Sequence, residues 1–333
     1  MHFLAATKIT HSFAWQEIRS DELKDIARVF DFNIARILAL GGLPSKLVGF
    51  SVIIQTHEML ARAKLGIALD DPRCQYGDPN FEILTYLSKE AERKLQMEQW
   101  MKSKGDSLEE TGRTIGDANL EMLLSASGST EKAAFASLLS GMAMAAWTAF
   151  ESMSSDLWVQ AVNVGPKAWS KKVFEKAKTP HLKPESERNK EQEKSIPLTV
   201  LSEYGYDLRM KMGTLLKQQE KVDFQSLANT NAAYCAIFPE KAKKIFDDNT
   251  HLAALEAIRN LYAHRAGMVD EKFKRRISPF PDFAGAEVGQ TIVITGSAVS
   301  LLIDSALAGG AALLKLMDDE LQSIYESRWS FEI

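Results

Sequence analysis

One short segment of the chain gathers side chains that bind phosphate and move protons. Arg259, Asn260 and His264 lie within six residues, and Arg265 follows directly. A guanidinium grips phosphate oxygens in a bidentate manner, an imidazole transfers protons near neutral pH, and an amide can orient either group. Attack of an RNA 2′-hydroxyl on its own phosphodiester needs a base, an acid and a stabilising cation, but no metal ion in principle.

The spacing of these residues on a helix constrains how they can act together. The pattern predicts a helix from His251 to Arg265. Asn260 and His264 are four residues apart and share a face, whereas Arg259 and His264 are about 140° apart around the axis. Either Arg259 reaches around the helix, or a second copy of the helix supplies the missing group. The second arrangement predicts a symmetric homodimer with a composite active site.

Basic residues continue beyond the segment. Lys272, Lys274, Arg275 and Arg276 form a local cluster that, together with Arg265, is suited to following an RNA backbone. The alternative interpretation is a solvated basic loop. The net charge of -4 excludes wholesale coating of nucleic acid, but it leaves room for a local basic site.

The rest of the chain is predicted to be mostly helical. Ser20 is placed to cap a helix over 21–40 that Gly41-Gly42 ends, and a second helix is expected from about residue 44. A strongly apolar helix is expected over 130–164, and Ser297 is placed to cap the last long helix.

Two further segments interrupt the helical pattern. The polar stretch 178–194 is expected to be a surface loop, because it cannot bury enough apolar area to offset the entropy lost on ordering. Residues 289–295 resemble a short β-strand that forms half of a small hairpin with residues 285–288.

The sequence motifs of other common enzyme chemistries are absent. No His or Cys cluster has metal-ligand spacing, and no glycine-rich phosphate loop is present, so neither a metal nor a cofactor is expected. Cys74 and Cys235 are typical of reduced thiols in a cytoplasmic protein. The longest apolar stretches, 47–54 and 306–316, are shorter than the roughly 20 residues that span a bilayer, and no secretory signal is recognised.

The motif and its surroundings resemble a known family. Arg259-Asn260-x-x-x-His264 is similar to the R-x4-6-H signature of HEPN domains, and the run from His264 to Phe273 resembles the family's H-x-x-G-x-V-D-x-x-F pattern. The Phe150-Glu151 pair on the apolar helix resembles a Phe-Glu pair on an early helix of related members. The resemblance covers about residues 132–321.

This resemblance implies a fold and an activity. The fold would be an all-α, HEPN-like helical bundle over 131–325, with residues 1–130 as an additional N-terminal helical region of unknown role. The activity would be metal-independent RNA cleavage in a toxin–antitoxin or antiviral setting, with an antitoxin or regulatory protein as a partner. Arg259 and His264 would be catalytic, Asn260 would support them, and Glu151 would assist or only pair structurally.

Two other interpretations remain open at this point. The chain could be a non-catalytic helical module that binds RNA or a nucleotide, or that docks a partner. It could also be a helical scaffold in which Arg259 and His264 satisfy buried partners.

Overall fold

The computed structural model of the protein describes residues 15–65, 108–177, 198–219 and 222–329. Helices account for 81% of this part of the chain, which contains no strand, so the all-α prediction is confirmed. The predicted polar loop 178–194 lies outside the described residues. In chain order, the α-helices of the described residues are α1 (Asp21–Leu65), α2 (Leu108–Ala126), α3 (Ser129–Val164), α4 (Pro166–Ala177), α5 (Leu198–Glu203), α6 (Met212–Gln218), α7 (Leu227–Ile237), α8 (Pro239–Asp248), α9 (His251–Arg265), α10 (Glu271–Ile277) and α11 (Gly296–Trp329).

The described residues fall into two compact units. The first unit contains residues 38–65, 108–138 and 295–297. The second unit contains residues 15–37, 139–177, 198–219, 222–294 and 298–329. The second unit thus takes in the start of α1, whereas the sequence assigned everything before residue 131 to one N-terminal region.

Buried aromatic side chains hold α7 against α3 in the second unit. The Trp158 indole donates to the carbonyl of Ala233 at 3.2 Å, and the Tyr234 hydroxyl donates to the carbonyl of Ser154 at 2.8 Å. Both rings are fully buried, so each polar tip needs the partner that it finds. Burial and, secondarily, the charge of Asp156 raise the pKa of Tyr234 well above its ordinary value.

The residues just before α1 are hydrogen-bonded to a side chain near the other end of the chain. Asp318 of α11 accepts hydrogen bonds from the backbone N–H groups of Ser20 at 2.7 Å and of Arg19 at 3.2 Å. Burial alone would raise the pKa of Asp318, but the hydrogen bonds from Ser20 and Arg19 hold it below its ordinary value. The predicted start of α1 at residue 21 is confirmed, and the Ser20 hydroxyl accepts a hydrogen bond from Gln322 Nε2 at 3.0 Å.

The predicted break in α1 is wrong. The helix continues through Gly41, Gly42 and Pro44 to Leu65. Glycine and proline weaken a helix interior by about 1 and 3 kcal/mol, so a long buried stripe can outweigh them. In the second unit this stripe consists of Leu23, Ala27, Phe30, Ile34 and Ile37.

The expected hairpin is not formed by the described residues. Residues 285 and 288 lie in turns, and the extended run that follows makes a single antiparallel bridge, between Thr291 and Met268. The run pairs there because Gly289, with a φ of 84°, turns the chain back toward the end of α9.

Two helices of the described chain are long and apolar enough to cross a membrane by length and composition. They are Ser129–Val164, and Gly296–Ser327 within α11. In the most apolar 18-residue window of each helix, 44% and 56%, respectively, is buried in the structure. Core helices of globular proteins meet the same length and composition criterion, so the finding does not distinguish a membrane span from a core helix. The expectation that the protein has no membrane span therefore stays a prediction.

Candidate functional site

Helix α9 positions the motif. Its bounds, His251–Arg265, match those predicted from the sequence. Its apolar positions are buried in the second unit and fix the orientation of the polar ones; these buried side chains are Leu252, Leu255, Ile258 and Leu261. These side chains recur every three residues, so the buried surface winds around the helix.

A tight turn ends the helix just after the motif. Ala266 and Gly267 both have positive φ, at 51° and 86°. A Cβ atom on Gly267 would lie 2.9 Å from the ring of Tyr262, so glycine is required here by both conformation and space. The chain is therefore turned sharply away from α9 directly after Arg265.

Backbone pairing then ties the following segment to the extended run. Val269 N–H donates to the carbonyl of Gln290, and Ile292 N–H donates to the carbonyl of Gly267, both at 2.9 Å. The Tyr262 hydroxyl donates to the Ile292 carbonyl at 3.4 Å, and burial raises the pKa of this phenol. These contacts fix where α10 begins relative to the end of α9.

A pocket of about 310 Å³ lies between α9 and α10. We call it the His264 pocket. It is lined by Ala257, Asn260, Leu261, His264, Arg265, Asp270, Lys272, Phe273 and Arg276. The imidazole is exposed, and Asn260 shares the lining as its four-residue spacing predicted. The imidazole is thus open to solvent.

Most cations of the His264 pocket already have an acidic partner. Arg276 pairs with the buried carboxylate of Glu256, and Arg265 Nε lies 3.1 Å from Asp270. Lys272, by contrast, has no ion-pair partner within 4 Å among the described residues. It is the pocket cation that is most available to a phosphate.

The predicted basic cluster is divided by α10, which is a helix rather than a loop. Lys272 and Arg276 are four residues apart and both line the His264 pocket. Lys274 and Arg275 are exposed but do not line it, and Arg275 Nε donates to the carbonyl of Glu271. Only half of the cluster therefore faces the motif.

A second pocket, of about 770 Å³, is lined by the other motif cation. We call it the Arg259 pocket. Its lining comes from α3, α6, the segment before α7, and α9, and consists of Thr148, Glu151, Ser152, Ser155, Asp156, Lys217, Val222, Asp223, Phe224, Gln225 and Arg259. Arg259 is half-buried, as is Glu151. Neither Arg259 nor His264 lies deep in apolar packing.

The motif residues therefore face two different pockets within one chain. Arg259 Nη1 donates to Asn260 Oδ1 at 2.8 Å. This hydrogen bond joins a residue that lines the Arg259 pocket to a residue that lines the His264 pocket. Arg259 and His264 share neither lining, as the 140° separation suggested. Glu151 shares the lining with Arg259 but, in the described chain, hydrogen-bonds neither Arg259 nor His264.

Several lining residues were not identified from the sequence. Asp270 caps α10 by accepting from the Phe273 N–H at 2.7 Å, and an Asp directly before a helix is a signal that could have revealed it. Ser155 follows Glu151 by four residues, which places both on one face of α3. Lys217 and Asp223 come from distant elements, so no local pattern indicated them.

The described residues contain no group of three or more His, Cys, Asp or Glu side chains that could hold a metal ion. The function of the two pockets has to be inferred from their own side chains. No protein-family model, curated protein or solved structure matches this chain.

Proposed function

We propose that the protein is a metal-independent endoribonuclease that cleaves RNA by attack of the 2′-hydroxyl. The observation that supports this most is the His264 pocket, where an exposed imidazole lies beside a lysine that has no ion-pair partner in the described part of the chain. The imidazole supplies the group that moves protons, and Lys272 attracts the phosphate. The resemblance of the motif to HEPN domains favours the same activity, in a toxin or antiviral setting in the cytoplasm.

The reaction needs a cation at the scissile phosphate, and Arg259 is our candidate. Within one chain its guanidinium lines the other pocket, so we propose that a second copy brings its Arg259 to the His264 of the first. Asn260, which accepts a hydrogen bond from Arg259, would hold that guanidinium in place. The proposed active form is thus a homodimer, to which an antitoxin or regulatory protein could bind.

In the proposed reaction, His264 takes the proton from the 2′-hydroxyl as that oxygen attacks phosphorus. The 5′-oxygen leaves with a proton returned by an imidazolium, and the product ends in a cyclic phosphate. The guanidinium stabilises the additional negative charge on the phosphorus oxygens in the transition state.

A second function is favoured by one specific contact. Because Arg259 is bonded to Asn260 and opens on the other pocket, the guanidinium groups that a single chain places beside the imidazole are those of Arg265 and Arg276, which are paired with carboxylates. The chain would then bind RNA or a nucleotide, or dock a partner, without cleaving.

Cleavage of labelled RNA in EDTA distinguishes the two functions. Wild type should leave cyclic or 3′-phosphate ends, and His264→Ala should lose activity by about 100-fold or more while melting at the same temperature. His251→Gln, at the opposite end of α9, is the matched control and should stay active. RNA binding without any product, unchanged in His264→Ala, would instead establish the binding function.

A further inference from the structure

The Arg259 pocket contains three polar groups with unused hydrogen-bonding capacity. Glu151 has no ion-pair partner within 4 Å among the described residues. Ser155 is only 6% exposed, and its hydroxyl has no hydrogen-bond partner in the described protein. Arg259 uses one N–H on Asn260 and makes no other hydrogen bond to described residues. A buried hydroxyl without a partner is uncommon, and it indicates that something polar binds there.

The remaining charges of the pocket are already engaged. Asp223 accepts from the Gln225 N–H and from Asn229 Nδ2, both at 2.6 Å. Asp156 lies 4.0 Å from Lys217 Nζ. Glu151 is therefore the carboxylate of this lining that has neither an ion-pair nor a hydrogen-bond partner among the described residues.

The positions of the three groups define the chemistry of that ligand. Glu151 and Ser155 lie one helical turn apart on the same face of α3, so both can contact one flat molecule. The ligand should offer adjacent N–H donors to the carboxylate, a polar atom to the hydroxyl and an anionic group to Arg259. At about 770 Å³ the pocket is in the range that accommodates a nucleotide.

Guanine is the base that meets these requirements. Its Watson–Crick edge presents N1–H and the N2 amino group side by side, so a carboxylate can accept both. Adenine, cytosine and uracil lack two adjacent donors on that edge. We infer that the Arg259 pocket binds a guanine base of the RNA, through Glu151 and Ser155, and that Arg259 contacts the adjoining phosphate.

This inference rests on the proposed function for the identity of RNA as the natural ligand. It predicts that cleavage falls next to guanosine. Its test uses nucleotide binding, which does not require cleavage, so that the two proposals can fail separately.

The experiment measures binding of GMP, AMP, CMP and UMP to the full-length protein by isothermal titration calorimetry. GMP should bind about tenfold or more tightly than the other three, as expected for one bidentate pair. Glu151→Gln should reduce this preference to about threefold or less. Glu131→Gln, an exposed substitution on the same helix, is the matched control and should leave it unchanged.

Ser155→Ala provides a second, independent variant. The Ser155 hydroxyl makes no hydrogen bond in the free protein, so its removal should leave the melting temperature unchanged or raise it. GMP binding should nevertheless weaken severalfold, which a purely structural role would not produce. This variant also keeps the test decisive if Glu151→Gln does not fold.

The outcomes separate the two proposals. Equal binding of the four nucleotides, or a guanine preference unchanged in both variants, would overturn the pocket assignment even if the protein cleaves RNA. Selective GMP binding that both variants weaken would support the assignment even if no RNA is cleaved, and only the nuclease proposal would then fail.

Discussion

The two pockets along α9 differ in how their charged groups are used. In the His264 pocket, two arginines are paired with acidic side chains and one lysine is free among the described residues. In the Arg259 pocket, the carboxylate of Glu151 and the buried hydroxyl of Ser155 have no partner within the ranges that the structure describes. The first pocket thus offers a cation and a proton-transfer group. The second offers hydrogen-bond acceptors, which the proposed guanine binding would use.

This difference shows what one helix can and cannot do with a short motif. Residues five apart point in different directions, so α9 gives each pocket one of the two motif groups. In the proposed function, a reaction that needs both groups at one phosphate would take one of them from a second copy of the helix. The comparison therefore predicts how subunits with different substitutions should behave when they are mixed.

Mixing of inactive subunits should produce the largest effect. Arg259→Ala and His264→Ala should each lose about 100-fold or more of the RNA-cleavage rate. After co-refolding in equal amounts, half of the dimers are mixed and each mixed dimer keeps one intact site, so about a quarter of the wild-type rate should return. The rate is measured on a labelled RNA in EDTA.

The control for this experiment is each variant refolded alone at the same total concentration. A mixture with no more activity than the sum of the separate variants would show that Arg259 and His264 do not complement each other across two chains. Full activity in Arg259→Ala alone would place the phosphate cation elsewhere in the His264 pocket.

Removal of the acidic partner of Arg276 in the His264 pocket should give the next largest effect. Glu256 is buried and pairs with Arg276, which is 35% exposed at its side chain. Glu256→Gln should lower the free energy of unfolding by about 2 kcal/mol, because it leaves a partly buried guanidinium without its counterion. RNA affinity should rise at the same time, since Arg276 becomes available to phosphate.

Urea unfolding and filter binding measure these two quantities. Glu320→Gln is the matched control, because it removes the partner of the exposed Lys241 and should change stability by less than about 1 kcal/mol. Reduced RNA binding in Glu256→Gln, with the fold intact, would contradict the view that pairing restrains Arg276.

The features of this site that the sequence predicted are those that depend on residues close together in the chain. The bounds of α9 follow from the spacing of its buried residues and from Gly267, and the separation of Arg259 from His264 follows from the helical repeat. The continuation of α1 past Gly41 could not be predicted in this way, because beyond the stop signals the helix packs at the buried Ser45 against Gly116 of α2, a contact that no local pattern shows.

Contacts between distant parts of the chain account for the rest. Asp318 accepts a hydrogen bond from Ser20, about 300 positions away, and the extended run pairs with Met268 instead of its own neighbours. The Arg259 pocket likewise draws Lys217 and Asp223 from separate elements. Its unused acceptors become recognisable only when these elements are assembled, whereas the His264 pocket is built from adjacent helices.

Lys272 should have a smaller effect that is specific to the His264 pocket. Lys272→Ala should weaken RNA binding about threefold near 100 mM salt and reduce the slope of log affinity against log salt by about 0.7, the value for one single-strand phosphate contact. Binding is measured by fluorescence anisotropy across a salt series. Lys243→Ala, an exposed lysine of α8, is the control, and an equal loss in both variants would mean that the pocket has no special role.

The smallest effect should come from Tyr262, which lies between the two motif groups in sequence and lines neither pocket. Tyr262→Phe removes its hydrogen bond to Ile292 and should lower the free energy of unfolding by about 0.5 kcal/mol at pH 8. Because burial raises the pKa of this phenol, its contribution is present below the unfolded-state pKa of about 10 and is lost as the pH rises through the folded-state pKa. The difference between wild type and Tyr262→Phe should therefore shrink above about pH 10, as measured by urea unfolding between pH 8 and 11. Tyr206→Phe controls for the loss of an exposed phenol, and a difference that grew with pH would show that Tyr262 ionises more readily in the folded protein.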